Sequence, residues 1–385
     1  MALAFINEEQ RMIQTMARDF AREVLLPGAG QRDREGRFPA DMLARMAELG
    51  FLGMMVPEEY GGAGVDAVSY VLALAEIAYG CASTAVVMSV HNSICCEAMV
   101  KFGSEEQKRQ WLPPMCDGRV IGAFGLTEPG AGSDPSGQIT TAVRDGDYWV
   151  LSGVKQFITT GSNAGLTIVT AYTDKSKKHR GVSAFLVPKG SPGLVVGKAE
   201  DKLGLKASDT VQLILEDCRV PAANMLGREG EGFRVAMTCL DAGRIGIAAQ
   251  SLGVARACLD EAVTFIDSRE QFGRAISQFQ GVRWRIADMA TEIEAAELLC
   301  VNAALLKAQG QRFTAEASMA KLFASEMVNR ITSQCLQLHG GYGFCKEYDI
   351  ERHFRDARVF TIYEGTSEIQ RVVISNHVLG PQRVR

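Results

Sequence analysis

Apolar residues recur at Ile13, Met16, Phe20 and Val24 behind the acidic pair Glu8-Glu9, with Asn7 ahead of them. That spacing, with a preferred N-cap in front, predicts an amphipathic helix over 8–26. Pro39 opens a second helix that ends at Gly50, proline at the first position and glycine at the end. Gly61-Gly62-Ala63-Gly64 is a loop, and without a preceding strand or a following lysine it is no phosphate loop. From Asp66 to about Phe102 the chain is apolar nearly all round, which predicts helices buried on most sides. Ser104 with Gln107 forms a capping box for the next helix, and Pro113-Pro114 is expected to stop it.

The pattern changes at about Arg119. As far as Val220 the chain carries short β-branched runs broken by turn signals: Thr167-Ile168-Val169-Thr170, Val182 to Val187, and Thr210 to Leu215. Asp145-Gly146 between two such runs is a two-residue hairpin signal. A small barrel or two packed sheets is predicted here. From Gly230 the helical period returns, with one long helix over about 231–267. A second starts at a Ser277…Gln280 capping box and reaches Gln309, and a third covers about 314–337. Long antiparallel helices joined by short Gly-containing breaks read as an up-down four-helix bundle. The expected class is α+β: an N-terminal helical domain (1–118), a middle β domain (119–226) and a C-terminal helical bundle (227–385).

Composition narrows the function. The chain has 385 residues, 47% hydrophobic and 22% charged, as in a globular protein of two or three packed sub-domains. A formal net charge of -4 argues against a nucleic-acid footprint. Ten Cys lie scattered without Cys-x-x-Cys spacing, which fits buried thiols in a reducing compartment better than a disulfide framework or a zinc site. None of the five His has metal-ligand spacing, so no metal is expected, and His91 and His339 read as interior side chains. Met1-Ala2-Leu3-Ala4-Phe5 shows no basic leader, and no apolar run reaches the ~18 residues of a membrane span, so a cytoplasmic protein is expected. The basic run Lys175 to Arg180 reads as a solvated hairpin tip.

Three stretches carry candidate chemistry. Leu126-Thr127-Glu128-Pro129-Gly130-Ala131-Gly132-Ser133-Asp134 follows the first strand. It offers backbone N–H groups and hydroxyls that could cradle an anionic or heteroaromatic group; read alone it is equally an ordinary Gly-rich turn. Lys155 to Gly161 alternates an aromatic and a hydroxyl across a strand. Phe360-Thr361-Ile362-Tyr363-Glu364-Gly365-Thr366-Ser367 sets one carboxylate between an apolar-aromatic run and a helix N-cap. An apolar run desolvates a neighbouring carboxylate and raises its pKa, as a base for a weakly acidic C–H proton requires.

These stretches, taken with Asp241-Ala242-Gly243-Arg244, Arg269-Glu270-Gln271-Phe272-Gly273 and Gln337-Leu338-His339-Gly340-Gly341-Tyr342-Gly343, resemble the acyl-CoA dehydrogenase family. The motifs stand in family order over essentially the whole chain. The resemblance implies a homotetramer with FAD held between the β domain and the C-terminal bundle. Leu126, Thr127 and Ser133 would contact the flavin and pyrophosphate. Phe157 would lie against the isoalloxazine, where many relatives have Trp, and Thr159 would bond near flavin N5. Arg269, Phe272 and Gln280 would reach the FAD of a neighbouring subunit, with Gln337, Gly340 and Gly341 completing that site. Thr366 and Glu368 would flank the cofactor. Asp241, Arg244 and the Ser133 region would meet CoA, and Tyr363 and Gly365 would line the substrate site.

Glu364 would then remove the α-proton of an acyl thioester while a hydride leaves the β-carbon, giving the trans-2-enoyl-CoA. Electrons would pass to an electron-transfer flavoprotein. Some relatives place the base on the long helix; here that position is Gly243, which resembles the short-chain, medium-chain and isobutyryl branches. An acyl-CoA oxidase is the alternative, although such oxidases are usually longer; alicyclic substrates stay open, and a dicarboxylyl substrate is less favoured because no additional arginine stands in 85–99. Val87, Met88, Val90 and His91 are expected to limit pocket depth.

Overall fold

The computed structural model describes residues 6–380; the stretch 1–5, read above for a leader, lies outside them. The first helices are α1 (Glu8–Phe20), α2 (Ala29–Glu35) and α3 (Ala40–Glu48). Asn7 caps α1 through a full capping box with Gln10. The predicted helix over 8–26 is longer than expected: a π turn (Ala21–Leu25) and a 3-10 turn (Leu26–Gly28) lead straight into α2. Next come α4 (Ala67–Gly80), α5 (Ala82–Ser89), α6 (Glu97–Phe102) and α7 (Glu105–Cys116). In α4 every residue but Tyr79 is buried, the outcome its all-round apolarity predicts. Pro113 and Pro114 do not stop α7 but sit inside its last turn. Prolines remove donors, not acceptors: the Asp117 N–H donates to the Pro113 carbonyl, and the carbonyls left without a donor belong to exposed Arg109 and Gln110.

The strands are β1 (Gly122–Gly125), β2 (Thr141–Asp145), β3 (Tyr148–Thr159), β4 (Leu166–Tyr172), β5 (Val182–Pro188), β6 (Leu194–Ala199), β7 (Thr210–Pro221) and β8 (Met225–Leu226). They form one sheet in the order β6-β7-β3-β2-β4-β5-β8, with β1 parallel to β4. In a flat sheet β3 and β5, three steps apart, would be separated by about 14 Å. Yet the rings of Trp149 on β3 and Phe185 on β5 are 5.5 Å apart, so the sheet folds over its own core of Leu151, Val169, Val187 and Val220. The β2–β3 turn is tight, with Asp145 paired to Tyr148, so its two free residues are Gly146 and Asp147, one position later than expected. Residues 175–181 do form a tip, between β4 and β5.

The third block holds α8 (Gly232–Ser268), a short hairpin of β9 (Glu270–Gln271) and β10 (Arg274–Ala275), α9 (Gln280–Ala308), α10 (Thr314–His339), α11 (Ile350–Ala357) and α12 (Ser367–Leu379). The capping box expected at Ser277 is absent: that residue lies in a 3-10 turn, and Phe279 stands at the N-cap of α9 without a side-chain bond. Among the described residues no helix is long and apolar enough to cross a membrane.

His91 ties the first two blocks together. Its Nδ1 accepts from the Gly122 N–H on β1 (3.0 Å) and its Nε2 lies 3.1 Å from the Met115 carbonyl on α7. One nitrogen accepts and the other must donate, which fixes the neutral Nε2–H tautomer. Burial pushes its pKa down to about 4, so the tie survives mild acid.

Candidate active site

Glu364 sits in the turn between Arg358–Thr361 and α12, where Thr366 is the N-cap and accepts from the Ile369 N–H. Its φ is +52° and that of Gly365 is +91°, so two consecutive residues occupy the left-handed region. For a non-glycine residue that costs on the order of 1–2 kcal/mol, and it persists only where neighbours over-determine it. They do here. Gln370 Nε2 donates to the carbonyls of Glu364 (3.2 Å) and Gly365 (2.9 Å), and Lys321 Nζ on α10 donates to Gly365 (2.8 Å).

The carboxylate points at α8. A Cβ at Gly243 would overlap Glu364 Oε2, so the missing side chain on the helix makes the room the glutamate fills. The residue as a whole is half-buried, yet both carboxylate oxygens are closed off from solvent and neither has a hydrogen-bond partner among the described residues. Burial pushes its pKa up to about 7, against the opposing pull of Lys321 and Arg244. Next to it, the Tyr363 hydroxyl donates to Gln250 Oε1 (2.6 Å) and the ring stacks on Phe360 (centroids 5.8 Å apart). Arg244 pairs with Asp241 (2.7 Å), whose other oxygen accepts from Thr314 (2.6 Å).

The 126–134 loop is held from inside the sheet. Glu128 bonds buried Lys155 (2.7 Å) and the N–H groups of Ile139 (2.6 Å) and Thr140 (3.1 Å), while Lys155 also reaches the Leu126 carbonyl (3.2 Å). The Thr127 carbonyl accepts from the Gln156 N–H on β3 (2.8 Å). Gly130 and Gly132 border open space, Ser133 is exposed and Leu126 is buried. Phe157 lies in a bulge of β3 between Lys155 and Ile158, at φ +59°, which turns its ring outward to 63% exposure. Thr159 ends the strand half-buried, and next to it Thr160 (φ +67°) has a buried hydroxyl without a partner.

A second cleft, of about 420 Å³, gathers Arg269, Gln337, Gly340 and Gly341 together with Phe265, His339 and Cys345. Phe272 and Gln280 do not line it: Phe272, 93% exposed at φ +54°, stands at the tip of the β9–β10 hairpin, and Gln280 begins α9. His339 is not the fully satisfied interior side chain expected. Its Nδ1 meets the Cys335 carbonyl (2.8 Å), but its Nε2 has no partner. Glu368 is exposed in the first turn of α12. Nine of the ten Cys are buried thiols and Cys345 is exposed.

Residue-by-residue reading missed Lys321, Gln370 and the Glu128–Lys155 pair. Lys321 had a signal: it is the one cation in the buried stripe Ala317, Ala320, Ala324, Val328 of α10. The Glu128–Lys155 pair joins a loop to a strand 27 positions on, and no periodicity marks such a contact.

Comparison with known proteins fits this geometry. The family models for the acyl-CoA dehydrogenase N-terminal, middle and C-terminal domains match residues 7–119, 123–218 and 230–379. The mitochondrial short-chain specific acyl-CoA dehydrogenase of Bos taurus is 51% identical over 378 residues, 98% of this chain and 92% of its own. Butyryl-CoA dehydrogenase from Megasphaera elsdenii superimposes with a TM-score of 0.96 at 43% identity, over 98% of this chain and 100% of that one. A chain solved in work on the electron transferring flavoprotein of Acidaminococcus fermentans superimposes at 0.97 with 46% identity, again over 98% and 100%. Matched in three successive domains and at this identity over nearly its full length, the chain belongs to the acyl-CoA dehydrogenase family of FAD-dependent oxidoreductases.

Proposed function

We propose that this enzyme oxidises a short straight or short branched acyl-CoA to the trans-2-enoyl-CoA, with Glu364 as the base that takes the α-proton. The reading rests on the Glu364 carboxylate: two oxygens without partners, closed off from water, with a pKa near neutrality. Such a group is ionised at pH 8 yet more basic than an exposed glutamate by over two units, which favours proton abstraction from carbon. The short acyl range is supported by the likeness to short-chain and butyryl-CoA enzymes.

FAD, when bound, supplies the acceptor for the electron pair that leaves with the β-hydrogen. The residues present fit it. Gly130 and Gly132 leave the backbone of the 126–134 loop open, and β3, bonded to that loop through the Gln156 N–H, carries the exposed Phe157 ring. Leu126, Thr127, Ser133, Phe157 and Thr159 would hold it from the β domain, and Thr366 and Glu368 from α12. Arg269, Gln337, Gly340 and Gly341, in their own cleft, would take the FAD of a neighbouring subunit. Exposed Phe272 and Gln280 would reach the same group across a tetramer interface.

Within the chain, Asp241 orients Arg244 toward CoA, and Tyr363 and Gly365 wall the acyl site. The N–H of Glu364, without an acceptor among the described residues, is free to bond the thioester carbonyl and steady the charge that develops there. The likeness to the Acidaminococcus chain supports an electron-transferring flavoprotein as redox partner. Ten unpaired cysteines support a reducing, cytoplasmic setting.

Replacing the base tests the reading. Glu364→Gln should keep its FAD, while anaerobic bleaching of the flavin by butyryl-CoA falls on the order of 10³-fold. Bleaching at the wild-type rate would remove Glu364 from the role.

A further inference from the structure

We infer that Lys321 is a positioning residue for the base: it pins the strained Glu364-Gly365 turn through the Gly365 carbonyl and sets the basicity of the Glu364 carboxylate by its charge. The inference rests on Glu364 being the base.

The geometry is specific. Lys321 is fully buried, its Nζ 2.8 Å from the Gly365 oxygen, which also accepts from Gln370 Nε2 (2.9 Å). A lysine seldom enters a helix's buried face unless it is paired. Here the partner is a neutral carbonyl, so the ammonium charge is not cancelled where it bonds. Its field acts instead on the Glu364 carboxylate, which has no hydrogen-bond partner among the described residues. Lys321 is the strongest cationic influence on that carboxylate, ahead of Arg244. Arg244 in turn is already engaged by Asp241 and lies 3.4 Å from Ser318 Oγ, one turn before Lys321 on α10.

The other groups that face the pair come from five elements. Cys239 on α8, Cys95 in the 90–96 turn and Tyr70 on α4 all feel the carboxylate, and burial keeps each of them neutral. Glu326 on α10 and Glu368 on α12 also act on Lys321, both favouring its charged form. Burial lowers Lys321 to about 8. Around neutral pH it is therefore charged while Glu364 ionises, and it favours the carboxylate over the acid.

The test uses the FAD-loaded protein and two variants. Lys321→Met removes both charge and donor, and Lys321→Gln removes the charge but keeps a donor. The titration of Glu364 is read directly from its carboxyl infrared band without substrate, identified as the band that Glu364→Gln lacks. Anaerobic flavin bleaching by butyryl-CoA is followed over the same pH range. Removing a cation at this range should raise the Glu364 midpoint by about one to two pH units in both variants. Bleaching at pH 7 should fall about 5–50-fold in step with the ionised fraction and recover as pH is raised. If Lys321→Met does not retain its fold, Lys321→Gln decides alone. A midpoint unchanged in Lys321→Gln, with Glu364→Gln inactive, overturns the role of Lys321 and leaves the base in place. A Glu364→Gln variant that bleaches normally overturns the base, and the lysine's role with it.

Discussion

Two buried carboxylates in this molecule each lie in the field of a buried lysine, and the protein treats them in opposite ways. Glu128 is satisfied: Lys155 bonds it directly and two backbone N–H groups complete its shell. Burial pushes its pKa up, but Lys155 and the Ile139 N–H outweigh that, and the net direction is down. Burial brings Lys155 down to about 8, so both partners are charged at neutral pH. Glu364 has no bonded partner, because its lysine is bonded to a backbone carbonyl, and burial wins. Depth of burial does not separate the structural carboxylate from the one proposed as the base. The presence or absence of a direct donor does.

The largest effect should come from breaking the satisfied pair. Lys155→Met leaves Glu128 charged and buried with only backbone donors, and removing one partner of a buried pair costs about 3–5 kcal/mol. Denaturant titration of the FAD-loaded protein should show this. The 126–134 loop, which Lys155 holds through the Leu126 carbonyl, should also release FAD more readily. Loss below about 1 kcal/mol would mean that the pair contributes little beyond its own desolvation.

The same contrast explains what could be read from the chain. The α–β–α order follows from hydrophobic periodicity, and Glu364 is legible as a candidate because its local surroundings, an aromatic run and a cap, are contiguous in sequence. What periodicity could not show was which partner each carboxylate has. Lys155 and Glu128 meet only after the sheet folds over, and the Lys321 contact needs α10 packed beside the turn before α12. The Ser104–Gln107 capping box formed as expected, but the proline stop at Pro113-Pro114 and the capping box at Ser277 misled for a related reason. They describe isolated helix ends, whereas Pro113 and Gln280 sit where solvent or packed neighbours satisfy the backbone.

A methyl group can probe how much space each carboxylate site holds. At Gly125, beside Lys155, an added Cβ would sit 3.4 Å from the lysine Cγ, an ordinary contact. At Gly243 it would take the place of Glu364 Oε2. Gly243→Ala should therefore displace the base and lower bleaching by butyryl-CoA on the order of 10²-fold, since misplacement by an ångström costs about that much. Gly125→Ala should change activity less than about threefold on the same reasoning. Equal losses at both positions would mean that the carboxylate is not held against α8.

The smallest effect is a slope. The folded pKa of Glu364 lies above its ordinary value, so between about 4.5 and 7 the folded state keeps a proton that the unfolded chain has released. Stability therefore falls as pH rises through that window and is flat beyond it. Glu364→Gln carries no such proton. It should match or trail the wild type at pH 4 and gain on it by about 2–3 kcal/mol by pH 8, each unit of that window being worth about 1.4 kcal/mol. Glu128→Gln should slope the other way, because a carboxyl held below its ordinary value stabilises the fold above the unfolded pKa and loses that as pH falls. It should be less stable than wild type at pH 8, with the gap closing in acid. Urea midpoints of the three proteins at pH 4, 6 and 8 measure both slopes. Two curves bending the same way would mean that Glu364 is as well satisfied as Glu128, and the base would then have to lie elsewhere.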